Sequence, residues 1–194
     1  MKPTKILEIR DLFGAGPLAG AASGQAFFSK LVEATSELPR DAVVALNFGR
    51  VDIVTASFFR SAFRAFRDYA RSEFRIYPVF ANANAATREE ISFFAEGSND
   101  AFVLATLGKN GQLTSPTVLG TLDDKQSLAL RALAELGEAD AGKLRETCPE
   151  TPAVSSAAWS NRLAVLSAKG FVAERLMGRT KQFRPIIEGL VYGR

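Results

Sequence analysis

Residues 41–48, DAVVALNF, constrain the fold more than any other stretch of this chain. The run has strand length and is apolar almost throughout, without alternation, and such a run is expected in the middle of a sheet. After it, Phe59, Phe63, Phe66 and Ala70 recur at helical spacing. The segment TASFFRSAFRAFRDYARSE therefore reads as an amphipathic helix of about five turns. Upstream, KILEIR alternates like an edge or half-buried strand, and GQAFFSKLVEATSEL carries a loose helical stripe of Phe28, Leu31, Val32 and Leu38. Downstream, FRIYPVFAN reads as a third strand and AATREEISFFAEG as a third helix. DAFVLATLGKNGQLTSPTVLG then places two apolar runs around Asn110-Gly111, a strong hairpin signal. The order strand, helix, strand, helix, strand, helix, hairpin predicts an α/β domain with a mixed sheet over residues 1–120.

From Thr121 the pattern changes. LDDKQSLALRALAELG opens on Asp123-Asp124 at a cap and ends on Gly137, with Ala129, Leu130, Leu133 and Leu136 expected inward. A short helix, DAGKLRETC, comes next. Pro149 and Pro152 then force a loop, and SSAAWSNRLAVLSAKG gives a third helix capped by Ser155 or Ser156 and stopped by Gly170. The last segment reads as two strands around Gly178. Three helices and a hairpin predict an α+β winged helix-turn-helix domain over residues 121–194. Its apolar elements can enclose a small core, so a fragment starting at residue 121 is expected to melt cooperatively by itself.

Composition narrows the functions. The chain of 194 residues has no histidine and one cysteine, Cys148. The commonest general base and metal ligand is absent, and one cysteine builds neither a zinc site nor an internal disulfide. No nucleophile-base pair is visible, so no catalytic residue, metal or cofactor is expected, and the chain reads as a non-enzyme. No apolar stretch reaches the length of a membrane span, and the start lacks a signal-peptide pattern. A cytoplasmic protein is the expectation. The formal charge of +3 is too small to make the whole chain a polyanion binder, so the placement of charge decides.

The segment AWSNRLAVLSAKGFVAERLMGRTKQFRPI resembles the recognition helix and wing of ArsR-type and MarR-type winged-helix regulators. Leu163 and Leu166 match the core pair, Gly170-Phe171-Val172 the entry to the first wing strand, and Arg179-Thr180-Lys181 the wing tip. The resemblance covers roughly residues 121–187 and implies double-stranded DNA as partner and a homodimer. Between Ser155 and Ile187 stand six cations (Arg162, Lys169, Arg175, Arg179, Lys181, Arg184) and one acid, Glu174, a local balance of +5. Ser156, Ser160 and Asn161 are expected to face the major groove, with Arg162, Arg175, Arg179, Lys181 and Arg184 on phosphates or in the minor groove. The alternative for the same segment is a dimerisation or protein-docking module with a solvated basic edge.

The stretch LNFGRVDIVTASFF resembles STAS-like domains, relatives of anti-sigma-factor antagonists, in having a central strand, a short turn and a hydroxyl-bearing loop ahead of an aromatic helix. The likeness extends over about residues 3–120. In phosphorylatable antagonists the loop reads Asp-Ser-Ser-Gly. Thr55 falls on the Asp, Ala56 on the first Ser, Ser57 on the phosphoacceptor and Phe58 on the Gly, so three of four letters depart. The resemblance implies Ser57, with Thr55 beside it, as a phosphoacceptor and a histidine-kinase-like ATPase or other regulatory protein as partner. The plain alternative is that Thr55 is a helix N-cap and Ser57 a first-turn residue. Two further features stand beside these. GAGPLAG (Gly14, Gly16, Gly20) echoes a dinucleotide-binding turn, but Pro17 interrupts it and no acid ends the next strand. Arg60, Arg64, Arg67 and Arg71 form a stripe expected on the solvated face of the long helix, where it could also dock an acidic protein or flank DNA. The combined expectation is a transcriptional regulator with a STAS-like sensing or partner-switching domain. The alternative is an adaptor that does not bind DNA and docks through both domains.

Overall fold

The computed structural model describes residues 1–150 and 153–192, so Pro152 of the expected loop lies outside the described residues. Four strands run parallel in chain order: β1 (Lys5–Glu8), β2 (Val43–Asn47), β3 (Tyr77–Ala81) and β4 (Ala101–Leu107). The hairpin at Asn110-Gly111 turns the chain back, and β5 (Leu113–Gly120) pairs antiparallel with β4. Short α1 (Ile9–Phe13), which the alternating start does not foretell, comes directly after β1. The crossovers are α2 (Ala21–Thr35), a long helix α3 over residues 56–74, and α4 (Ala85–Gly97).

Strand order without reversal, combined with right-handed crossovers, lays successive helices on one face of the sheet. The residues of β2 divide accordingly. Val44 and Leu46 join Phe27, Phe58, Phe59, Phe63 and Phe102 in one cluster, while Val43 and Ala45 belong to a second cluster on the opposite side. The helical cluster is aromatic, with ring pairs such as Phe59–Phe102 at 4.9 Å in edge-to-face contact. Close approach of α2 to α3 depends on Gly24, where a Cβ would meet the Phe58 carbonyl oxygen at 2.9 Å.

Helix α3 contains two wide π turns, Arg60–Arg64 and Ala70–Phe74. Each inserts an extra residue against the 3.6-residue repeat and rotates the side chains beyond it around the helix axis. The expected arginine stripe is accordingly broken: Arg67 is only 6% exposed, so this position is corrected from solvated face to interior.

The second face of the sheet is closed by the C-terminal third of the chain. Here stand α5 (Asp124–Leu136), α6 (Ala141–Thr147), α7 (Ser156–Ala168) and the hairpin β6 (Val172–Met177) and β7 (Thr180–Pro185). Val43, Ala45, Val79 and Val103 of the sheet share one buried cluster with Leu130, Leu133, Trp159, Leu163 and Leu166. The chain then returns: β8 (Val191–Tyr192) adds to the sheet beside β5, in parallel, as a sixth strand. Tyr192 accepts a hydrogen bond at its phenol oxygen from Leu122 N at 3.1 Å. The expected boundary at 120/121 falls between β5 and α5, and both core and sheet cross it. Gly120 holds this crossing: its φ is 111°, and a Cβ there would meet the Asp100 carbonyl oxygen at 2.5 Å. Leu136, expected inward, is half-exposed, because α5 ends there and Gly137 turns the chain away with φ 76°.

Candidate functional site

Helix α7 starts where the sequence places it, with Ser155 Oγ accepting from Ala158 N at 3.2 Å. Its Trp159, Leu163 and Leu166 are fully buried, which turns Ser160, Asn161 and Ala164 outward. The hairpin turns through Gly178 in the left-handed region, φ 62°, and projects Arg179 and Lys181 beside the outward face of α7. Ala139, just before α6, pairs in both directions with Phe183 of β7, at 3.0 and 2.9 Å, so the hairpin is fixed against the helices. The result is a groove of about 580 Å³ lined by Ser156, Ser160, Asn161, Arg179 and Lys181 over Phe183. Leu176, 71% exposed, and Met177 stand at the same hairpin tip.

Three of the expected DNA-facing residues lie elsewhere. Arg162 is 8% exposed; its guanidinium donates to both Glu150 oxygens at 2.5 and 3.2 Å and stacks 4.8 Å from the Trp159 ring. It packs the helix and presents no free face. Arg175 donates in bidentate fashion to Glu138 at 2.8 and 3.2 Å. It shares with Arg184 a crevice of about 380 Å³ that also holds Asp41, Arg75, Glu138 and Glu174. Lys181 Nζ reaches Glu174 at 3.1 Å, and Lys169 donates to the Asn99 carbonyl at 3.1 Å with Asp100 at 4.0 Å. Among the described residues, Arg179 and Arg184 are the two of the six counted cations with no carboxylate in ion-pair range. Much of the local +5 balance is thus offset by acids from outside the counted window.

A buried ionic joint ties α7 to the sheet. The Arg67 guanidinium donates to both Asp100 oxygens at 3.0 and 2.8 Å and to the Ala101 carbonyl at 2.9 Å, and it lies 4.5 Å over the Phe102 ring. Arg64 stands 3.6 Å from Asp100, and Lys169 completes the cluster. Burial alone would push the Asp100 carboxyl up, but the hydrogen bonds and charge of Arg67 outweigh it and hold it below the ordinary value. Burial also pushes the Lys169 ammonium down, with Asp100 opposing. A second tie runs from Arg75, at the end of α3, to Asp41 at 2.9 Å and to the Glu174 carbonyl of β6. Between the two, the Arg71 side chain packs 3.8 Å from where a Gly170 Cβ would stand.

The hydroxyl loop sits at the other end of α3. Thr55 is the N-cap, its Oγ1 accepting from Phe58 N at 3.4 Å, and Ser57 Oγ lies 3.2 Å from Thr55 Oγ1 on the exposed first turn. Ala56 N donates to the Glu90 carboxylate of α4 at 3.1 Å. A carboxylate thus already holds one of the free amides that favour an anion at a helix start. At the glycine-rich turn, Arg10 donates to the Gly14 and Gly16 carbonyls at 3.1 and 2.6 Å.

Two groups escape a reading of the sequence. One is the set of distant acids, Asp100, Glu138 and Glu150, that neutralise the C-terminal cations; only spatial proximity marks them. The other is a polar rail across the carboxyl ends of the strands. Asn47 donates to Glu8 and accepts from Asn82, whose amide oxygen in turn accepts from Leu107 N at 2.9 Å. The paired asparagines in NANA, just past β3, were the available signal. Among the described residues there is no grouping of His, Cys, Asp or Glu fit for a metal, and no helix is long and apolar enough to cross a membrane. Comparison with protein-family models, curated proteins and solved structures finds no match for this chain.

Proposed function

We propose that the protein is a DNA-binding transcriptional regulator whose C-terminal helices and hairpin act as a winged helix and whose N-terminal part is a STAS-like sensing or partner-switching domain. The observation that carries this reading is the groove in which the outward polar face of α7 meets the cationic hairpin tip. In a winged helix the outward face of such a helix reads bases while the hairpin contacts phosphates, with Asp140 as the one acid on the groove wall. Asn161 is the one exposed amide on that face; it can pair bidentately with adenine, while Ser156 and Ser160 are adaptable partners. Arg179 serves as the phosphate or minor-groove contact. The protein acts as a homodimer presenting two such grooves. In the N-terminal part, Ser57 is exposed at the helix start where a regulatory phosphate would act, although it would have to compete with Glu90 for the amides.

A second reading rests on a specific observation. Four of the six C-terminal cations are matched with carboxylates, which favours a docking module over a polyanion surface. Fluorescence anisotropy of the intact protein, on genomic duplexes from around its own gene and at several salt concentrations, separates the two. Salt-sensitive binding that Asn161→Ala weakens by ~1–3 kcal/mol on the preferred site, and much less on random duplex, is the expected result. Absence of salt-sensitive binding at micromolar protein leaves the docking reading.

A further inference from the structure

Away from the groove, a cavity of about 560 Å³ opens over the sheet edge where β4, β5 and β8 meet. Its size falls within the range of small-molecule sites, roughly 300–1,000 Å³. One wall is apolar, with Phe80, Leu104 and Val191, and the other carries Arg88 with the hydroxyls of Ser115 and Thr117. Arg88 stands exposed near the start of α4 and has no ion-pair partner among the described residues.

Backbone strain converges on the same place. The β4–β5 pairing slips between Leu104 and Thr106, so Ser115 and Pro116 together face Ala105 in a bulge. Ser115 takes a φ of 49°, a left-handed conformation that serine seldom adopts, and Asn82 on the floor has φ 57°. The bulge opens the sheet where an unbroken ladder would have carried β5 straight across. The cavity also joins both parts of the chain, because Gly189 and Val191 come from the returning C-terminal segment and the remaining lining from the residues before Gly120.

We infer that this cavity is an effector site for a small amphipathic anion, a carboxylate or phosphate carried on an apolar body. Arg88 would hold the head group through its planar fork of donors, and Ser115 and Thr117 would add hydroxyl bonds. The body would lie on Phe80, Leu104 and Val191. Such a ligand bridges β5 and β8, so it tightens the closure of the C-terminal part on the sheet without touching the groove at α7.

The test is a backbone amide NMR titration of the full chain with benzoate, phenyl phosphate and the neutral benzyl alcohol. The expected result is saturable shifts at Arg88, Thr106, Ser115, Thr117 and Gly189 with at least one anion, and binding of benzyl alcohol weaker by about tenfold or more. The anion that binds tighter identifies the head group. Arg88→Gln should lose that binding by a similar factor while the melting temperature stays unchanged. Ser115→Gly, which relaxes the strained φ but removes one of the two hydroxyls, should fold at least as stably and bind the anion a few-fold more weakly. The inference is overturned if neither anion saturates at low-millimolar concentration, if benzyl alcohol binds equally well, or if Arg88→Gln binds like the parent. None of these outcomes depends on whether the protein binds DNA.

Discussion

Two sets of cations occupy the C-terminal third and its borders, and they differ in everything but formal charge. At the joint, Arg67 and Lys169 are drawn into the protein around Asp100, and Arg162 is drawn in against Glu150 and Trp159. At the hairpin tip, Arg179 and Lys181 project into water beside Asn161. A buried pair is costly to break, because removing one partner strands the other charge in a medium that solvates it poorly. An exposed pair such as Lys181–Glu174 is worth about 0–1 kcal/mol and is readily exchanged for a phosphate. The first set therefore builds the molecule, and the second set is available to a ligand.

The largest test of this contrast separates the joint altogether. A fragment of residues 121–194 loses Asp100, Asn99 and the sheet face that completes its core, so it is predicted to show no cooperative thermal transition. That is the opposite of what its own apolar content suggests. A sharp melt of the fragment, followed by Trp159 fluorescence, would show that the shared core is dispensable. Next comes Asp100→Ala, which removes the buried carboxylate from Arg67 and leaves it only the half-exposed Asp68 at 2.7 Å; it should destabilise the intact protein by up to about 3–5 kcal/mol in urea unfolding. Its pH dependence has a definite sign. The native carboxyl is held below its unfolded value of about 4, so its contribution is complete above that value and is lost as pH falls through the lowered native one. Asp100→Asn should flatten the acid limb of the stability curve, and an unchanged limb would remove Asp100 from the joint. Smaller again, Arg162→Ala should cost ~1–3 kcal/mol of stability through lost packing and stacking, with duplex affinity per folded molecule unaltered.

Apart from α1 and β8, the order of strands and helices was legible from local signals: DAVVALNF as a buried strand, Asn110-Gly111 as a turn, Asp123 and Ser155 as caps. The layer that covers the second face of the sheet was legible only in principle. Both faces of β2 are apolar, and helices that cross in one direction can close only one of them, so a further layer was required. Strand β8 escaped notice because two residues carry no periodicity; its place is set by Leu122 and Tyr192, far apart in sequence. The groove residues Ser160, Asn161 and Arg179 could be placed from helix phase and turn position, which are local. Arg162 and Arg175 misled because counting charge along a window cannot register a partner brought in from residue 150 or 138. Arg67 misled because the π turns of α3 rotate it off the stripe that regular spacing predicts.

The division of labour between the two sets is tested most directly by the salt dependence of duplex binding for the double variant Arg179→Ala/Lys181→Ala beside the parent. The predicted result is that log K against log salt becomes shallower by roughly two units, one for each lost phosphate contact, evenly across sequences. Stability should stay within about 0.5 kcal/mol of the parent, as for exposed side chains. A double variant that keeps the parent's full salt slope, or that loses it only together with its folding, would contradict the assignment of the hairpin tip as the surface that meets DNA.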